Sequence, residues 1–112
     1  MIKKILITDP ISELGLEQLN DAGFEVLYKP ESSEDEIHSM LSDIDGWIIR
    51  SGTKIDAQLI SNARQLKVIG RAGVGVDNID IDAATDNGIV VMNVPDGNTI
   101  SAAEHTMALI AA

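Results

Sequence analysis

The sequence predicts an α/β fold, a doubly wound parallel sheet of five strands with helices on both faces. Three observations predict it. Short apolar runs alternate with amphipathic stretches about five times along the 112 residues, and strands separated by helices imply parallel strands joined by right-handed crossovers. The apolar runs are nearly continuous, as expected for strands covered on both faces. The connections are of ordinary length, and no repeat, low-complexity tract or linker interrupts the alternation. The flavodoxin-like order 2-1-3-4-5 is the simplest arrangement for five such strands.

The elements follow in order. "KKILIT" (3–8) is the first strand. "SELGLEQLNDAG" (12–23) is a helix with Ser12 as N-cap, a broad face of Leu14, Leu16, Leu19 and Ala22, and Gly23 as its stop. "FEVLY" (24–28) is the second strand. "SSEDEIHSMLSDI" (32–44) opens with serine and acids and carries Ile37, Met40, Leu41 and Ile44 at helical spacing. "GWIIR" (46–50) is the third strand, with Trp47 in the core, and "DAQLISNA" (56–63) is a short helix. "LKVIGR" (66–71) is the fourth strand. "DIDAATDNG" (80–88) is a short helix capped by Asp77-Asn78 and closed by Asn87-Gly88. "IVVMN" (89–93) is the fifth strand, followed by the turn "VPDGN" and a last helix in "NTISAAEHTMALIAA". That helix has a start signal but no Gly, Asn or Pro to end it, so the chain is expected to be a piece of a longer protein.

Composition narrows the function. Hydrophobic residues make up 45% and charged residues 23%, ordinary for a globular domain. A formal net charge of -10 argues against nucleic acid and anionic membranes, which demand clustered Lys and Arg. With no cysteine, disulfides, thiol chemistry and Cys-ligated zinc are excluded. The first apolar run is too short for a signal or membrane-spanning segment, so a cytoplasmic protein is expected.

In an open α/β sheet, ligands sit beyond the carboxyl ends of the strands. The candidates there are Thr8-Asp9-Pro10, Arg50-Ser51-Gly52, Arg71-Ala72-Gly73 and Asn93. Two of the eight basic residues, Arg50 and Arg71, fall at adjacent strand ends. Arginine forks suit carboxylate or phosphate. The alternative is that both simply pair with Asp9, Asp77 or other acids.

"GRAGVGVDNIDIDAA" (70–84) begins like a dinucleotide-binding fingerprint. That motif needs a third glycine, a place after the first strand and an acid at the end of the next strand. Here the third position is Asn78, the loop follows the fourth strand, and Asp96 lies in the turn Pro95-Asp96-Gly97. The better physical account is a nest of backbone N–H groups around Gly73-Val74-Gly75 that holds a small anion. A turn selected only for its shape remains the alternative.

"RSGTKID" and "LKVIGRAGVGVDNIDIDAATDNGIVVMNVPDGNTISAAEHTMALI" resemble the D-isomer-specific 2-hydroxyacid dehydrogenases, most of all the branch that oxidises 3-phosphoglycerate. The likeness covers essentially the whole chain and is dense from Arg50 onward. It implies a two-domain NAD enzyme, with residues 1–98 the first segment of a discontinuous substrate-binding (catalytic) domain. Residues 99–112 begin a crossover helix to an NAD-binding domain outside this chain. The fingerprint and the catalytic arginine, glutamate and histidine lie there too, so no catalytic residue is expected here and the fragment alone is expected to be inactive. The resemblance assigns substrate contacts to Arg50, Ser51, Arg71, Ala72, Gly73, Val74, Gly75 and Asn93. It places Val74, Asn98 and Thr99 beside the cofactor. His38, His105 and Glu104 match no catalytic position. The substrate is expected to be a small phosphorylated or carboxylate compound and the parent protein a homo-oligomer. Residues 99–112 are expected to fold back on the sheet or to mediate self-association.

Two alternatives stand beside this. One is another substrate in the same family, such as glyoxylate, hydroxypyruvate or D-lactate. The other is a non-enzymatic binding module on the flavodoxin-like fold, such as a phospho-receiver, against which stands Arg50 at the end of the third strand where an aspartate is required.

Overall fold

A computed structural model describes residues 4–10, 13–50, 52–72 and 77–94. The elements run β1 (Lys4–Ile7), α1 (Glu13–Asp21), β2 (Glu25–Tyr28), α2 (Glu34–Met40), a 3₁₀ turn (Leu41–Asp43), β3 (Gly46–Ile49), α3 (Ala57–Asn62), β4 (Val68–Ala72), α4 (Ile81–Asp86) and β5 (Val90–Val94). Every strand pair is parallel, and the sheet order is β2-β1-β3-β4-β5, as the alternation predicts.

That order decides which helix covers which face. The step from β1 to β2 runs one way across the sheet and the later steps run the other way. With right-handed crossovers, α1 therefore lands on one face and α2, α3 and α4 on the opposite one. The side chains divide accordingly. Ile5, Ile7, Ile48 and Val68 pack with Leu19 of α1. Leu6, Trp47, Ile49 and Ile69 pack with Ile37, Leu59, Ile60 and Ala84 from the other three helices. Alternate residues of one strand thus serve two cores, which is why these runs show no polar alternation.

Local chemistry sets the helix ends. Ser33 accepts from the Glu36 N–H while the Glu36 carboxylate accepts from the Ser33 N–H, each at 3.2 Å, a complete capping box. Asp56 and Asp80 cap α3 and α4 by accepting from Leu59 N and Ala83 N at 2.9 and 3.0 Å. Gly23 (φ 95°) and Gly88 (φ 71°) take the left-handed conformation that ends α1 and α4. The expected cap Ser12 lies outside the described residues.

Two expectations are corrected. The helix expected over 32–44 is α-helical only to Met40 and then tightens into the 3₁₀ turn. Ile44 must enter the core, and the next residue, Asp45, must reach β1, where its N–H donates to Lys4 O at 2.8 Å and its carboxylate accepts from Lys4 N at 3.0 Å. Asp77-Asn78 do not cap α4. The backbone ahead of that helix is engaged in a bridge between Ile55 and Ile79, with Ile55 N donating to Asn78 O and Asp80 N to Ile55 O, so the cap falls on Asp80.

Candidate functional site

Burying a polar group costs free energy unless it finds a partner. Among the described residues five polar or charged ones are buried: Thr8, Asp9, Asp45, Thr53 and Arg71. Four of the five, all but Asp45, lie at the carboxyl edge of the sheet, at or just beyond the ends of β1, β3 and β4. No buried side-chain N or O among the described residues lacks a partner.

The network starts from the core. Trp47 of β3 is fully buried, and its indole Nε1 donates to Thr8 Oγ1 at 3.0 Å. The Thr8 hydroxyl also shares a 2.8 Å hydrogen bond with the Thr53 hydroxyl. Asp9, just past β1, turns its carboxylate onto the chain leaving β3. One oxygen, Oδ2, accepts from Arg50 N at 2.7 Å and from Thr53 N at 3.0 Å. Gly52 passes close over this carboxylate, where a Cβ would sit 2.6 Å from Asp9 Oδ1. Only glycine fits there without displacing Asp9.

A second clamp comes from the far side of the glycine loop. Asn78 Nδ2 donates to Arg50 O at 2.8 Å and to Thr53 O, while Asn78 Oδ1 accepts from Arg71 Nε at 2.6 Å. Arg50 and Thr53 therefore have their N–H groups held by Asp9 and their C=O groups held by Asn78.

The predicted site residues take these places. Arg50 follows β3 with an exposed side chain and a fixed backbone. Arg71 in β4 is buried at 8% exposure and stands in register with Ile49 of β3 and Asn93 of β5. Ala72 ends β4 in register with Val94. For Ala72 and Asn93 the strand position alone is described. Ser51, Gly73, Val74, Gly75, Asn98 and Thr99 lie outside the described residues, as do Glu104 and His105. The two arginines thus differ in burial, Arg50 exposed and Arg71 buried. His38 is half-buried on α2, with Nδ1 3.4 Å from Asn62 Nδ2 of α3, away from the strand ends.

Thr53 and the cross-linking role of Asn78 were not legible as site features. The available signal was Asn78 standing where a dinucleotide fingerprint has glycine. The β1–α1 connection does not fit a dinucleotide either. Thr8-Asp9-Pro10-Ile11-Ser12 contains no glycine, and the buried Asp9 carboxylate is directed at the amides of Arg50 and Thr53.

Comparison with known proteins agrees with this architecture. The chain is 50% identical over 109 residues to a D-3-phosphoglycerate dehydrogenase of Archaeoglobus fulgidus, covering 97% of this chain and 21% of that protein. It is 46% identical over 109 residues to the human D-3-phosphoglycerate dehydrogenase, covering 97% of this chain and 20% of that protein. The chain therefore spans about a fifth of the length of these curated relatives. Among solved structures, an NAD+-bound 3-phosphoglycerate dehydrogenase of Entamoeba histolytica superposes with a TM-score of 0.76 at 35% identity, over 98% of this chain and 38% of that one. No helix among the described residues is long and apolar enough to cross a membrane. The family model for the D-isomer specific 2-hydroxyacid dehydrogenase, catalytic domain, matches residues 5–108, and the chain belongs to that family.

Proposed function

We propose that this chain is the N-terminal substrate-binding part of an NAD-dependent D-3-phosphoglycerate dehydrogenase, a cytoplasmic enzyme of serine biosynthesis. The reaction is oxidation of the C2 hydroxyl of 3-phosphoglycerate to give 3-phosphohydroxypyruvate, with NAD as hydride acceptor. The observation that carries this reading is the 50% identity to a D-3-phosphoglycerate dehydrogenase over 97% of the chain.

The edge geometry supports it. Arg50 and Arg71 put two cations at neighbouring strand ends of a chain with net charge -10, and guanidinium groups suit a dianionic phosphate with a carboxylate. Residues 72–75 supply backbone amides for the carboxylate, and Ser51 and Asn93 complete the polar lining. Holding both anionic ends fixes C2, which is an orientation effect. Residues 1–98 form this substrate segment and residues 99–112 lead toward the cofactor domain, with Val74, Asn98 and Thr99 nearest the nicotinamide. The described residues do not fit a dinucleotide, so NAD is held mainly by other residues of the enzyme. The 112 residues alone are then inactive, and the whole enzyme is a homo-oligomer.

The test is NADH formation by the natural full-length protein with 3-phosphoglycerate, D-lactate and glycolate as alternative substrates. The expected result is the highest kcat/KM for 3-phosphoglycerate, and a KM for it raised by Arg71→Ala or Arg50→Ala. Preference for an unphosphorylated acid would reassign the substrate, and turnover by the isolated 112 residues would refute their inactivity.

A further inference from the structure

We infer that Asn78 is a positioning residue of the substrate site, locking Arg71 and the backbone at Arg50 and Thr53 into one preformed anion-binding edge. This inference rests on the proposed function above.

The side chain carries three contacts, and they admit one orientation of its carboxamide. Arg71 Nε can only donate, so it needs Oδ1; the carbonyls of Arg50 and Thr53 can only accept, so they need the two hydrogens of Nδ2. A flipped amide would set oxygen against two carbonyls and NH₂ against a guanidinium. One residue thereby ties together segments that are 7, 25 and 28 positions away in sequence.

Each contact bears on anion binding. An arginine fork recognises phosphate or carboxylate in its own plane. Holding Nε against Oδ1 sets that plane before a ligand arrives. The two loop carbonyls are negative dipole ends beside a site meant for an anion, and Asn78 engages both. Asp9 holds the amides of the same two residues, so the loop backbone has no slack at 50 or 53. The flanks of the glycine loop are joined as well, since Arg71 precedes residues 73–76 and Asn78 follows them. Pre-paid order of this kind appears as affinity for the anionic substrate.

The experiment uses the full-length enzyme carrying Asn78→Ala and, separately, Asn78→Asp. The aspartate keeps an acceptor for Arg71 Nε and the side-chain volume, but loses both donors and places a carboxylate against the guanidinium. For both variants the expected result is a KM for 3-phosphoglycerate raised about tenfold or more. The inhibition constant of inorganic phosphate should rise in parallel, while kcat and the KM for NAD stay within about threefold. If Asn78→Ala does not fold, Asn78→Asp carries the same comparison. A substrate KM within twofold of wild type overturns the inference. So does a parallel loss of kcat and both KM values together with thermal stability, which marks a merely structural residue. If wild type oxidises no 2-hydroxy acid, the proposed function fails separately. Calorimetric binding of inorganic phosphate to the full-length protein then decides: binding lost in Asn78→Asp supports the preformed edge, while binding unchanged, or absent in wild type, overturns it.

Discussion

Gly52→Ala isolates the clamp on the β3 exit loop. The added Cβ would lie 2.6 Å from Asp9 Oδ1 and 3.5 Å from its Cγ, so the carboxylate must move. It cannot move freely, because Oδ2 holds the N–H groups of Arg50 and Thr53 and the residue is only 6% exposed. Each hydrogen bond to a charged acceptor contributes about 1.5–3 kcal/mol. Stretching both, or losing one, costs on the order of 2–3 kcal/mol. Against this, Gly→Ala at a compatible backbone gains about 0.4–1 kcal/mol by restricting the unfolded chain. The net expectation is a destabilisation of about 1–2 kcal/mol, or roughly 5–10 °C in Tm for a domain near this size. Urea unfolding followed by emission of the single tryptophan, Trp47, which is fully buried, reads this directly. The control is the same substitution in an Asp9→Ser background, where the shorter side chain leaves room for the Cβ. There Gly52→Ala should be neutral or slightly stabilising, giving a coupling of about 1–3 kcal/mol. Additive costs in the two backgrounds, or a gain in stability in the wild-type background, would refute the steric account.

Other outcomes follow from the same contacts. Trp47→Phe leaves the Thr8–Thr53 pair without its indole donor and opens space in the core, and should cost about 1.5–3 kcal/mol by circular-dichroism melting. Ser33→Ala removes the capping box of α2 and should cost about 1 kcal/mol in the same assay. Lys4 Nζ lies 2.7 Å from Asp43 Oδ2 and 3.3 Å from Glu25 Oε2, at the sheet edge opposite the site. The hydrogen bond from Lys4 holds the Asp43 carboxyl below the ordinary carboxylate range, and the same bond raises Lys4. The Asp43 contribution to stability is therefore present above the unfolded aspartate pKa and is lost as pH falls through the lower folded value. The Lys4 contribution is complete below the ordinary lysine value and is lost as pH rises through the higher folded one. Lys4→Met should accordingly differ from wild type most near neutral pH and low salt, converging at both pH extremes; a difference independent of pH and salt would mean the pair contributes nothing.

The fold was legible because it rests on local signals. Periodicity and glycine stops set the strands and α-helices among the described residues to within a few residues, the 3₁₀ turn excepted, and two directions of crossover follow from the strand order. The end of α2 was less legible, because Leu41 and Ile44 continue the helical spacing while the need to bring Asp45 to β1 is a contact between residues 41 positions apart. Asn78 misled for a related reason. Asp-Asn ahead of an apolar helix looks like a cap, and nothing local reveals that the Ile55–Ile79 bridge has taken that stretch of backbone and pushed the cap to Asp80.

The same distinction explains why the third position of the glycine motif matters. In a dinucleotide fingerprint the later glycine lets a helix approach the sheet closely. At that position here stands a side chain whose amide reaches the end of β4 and the exit of β3 together. A glycine at 78 would complete the letters of the fingerprint and at once release Arg71 and the two loop carbonyls. It would create no pyrophosphate site of the dinucleotide kind, because the loop follows β4 and not the first strand. The departure from the motif thus gives up a close helix–sheet approach for a side chain that ties the ends of two neighbouring strands together.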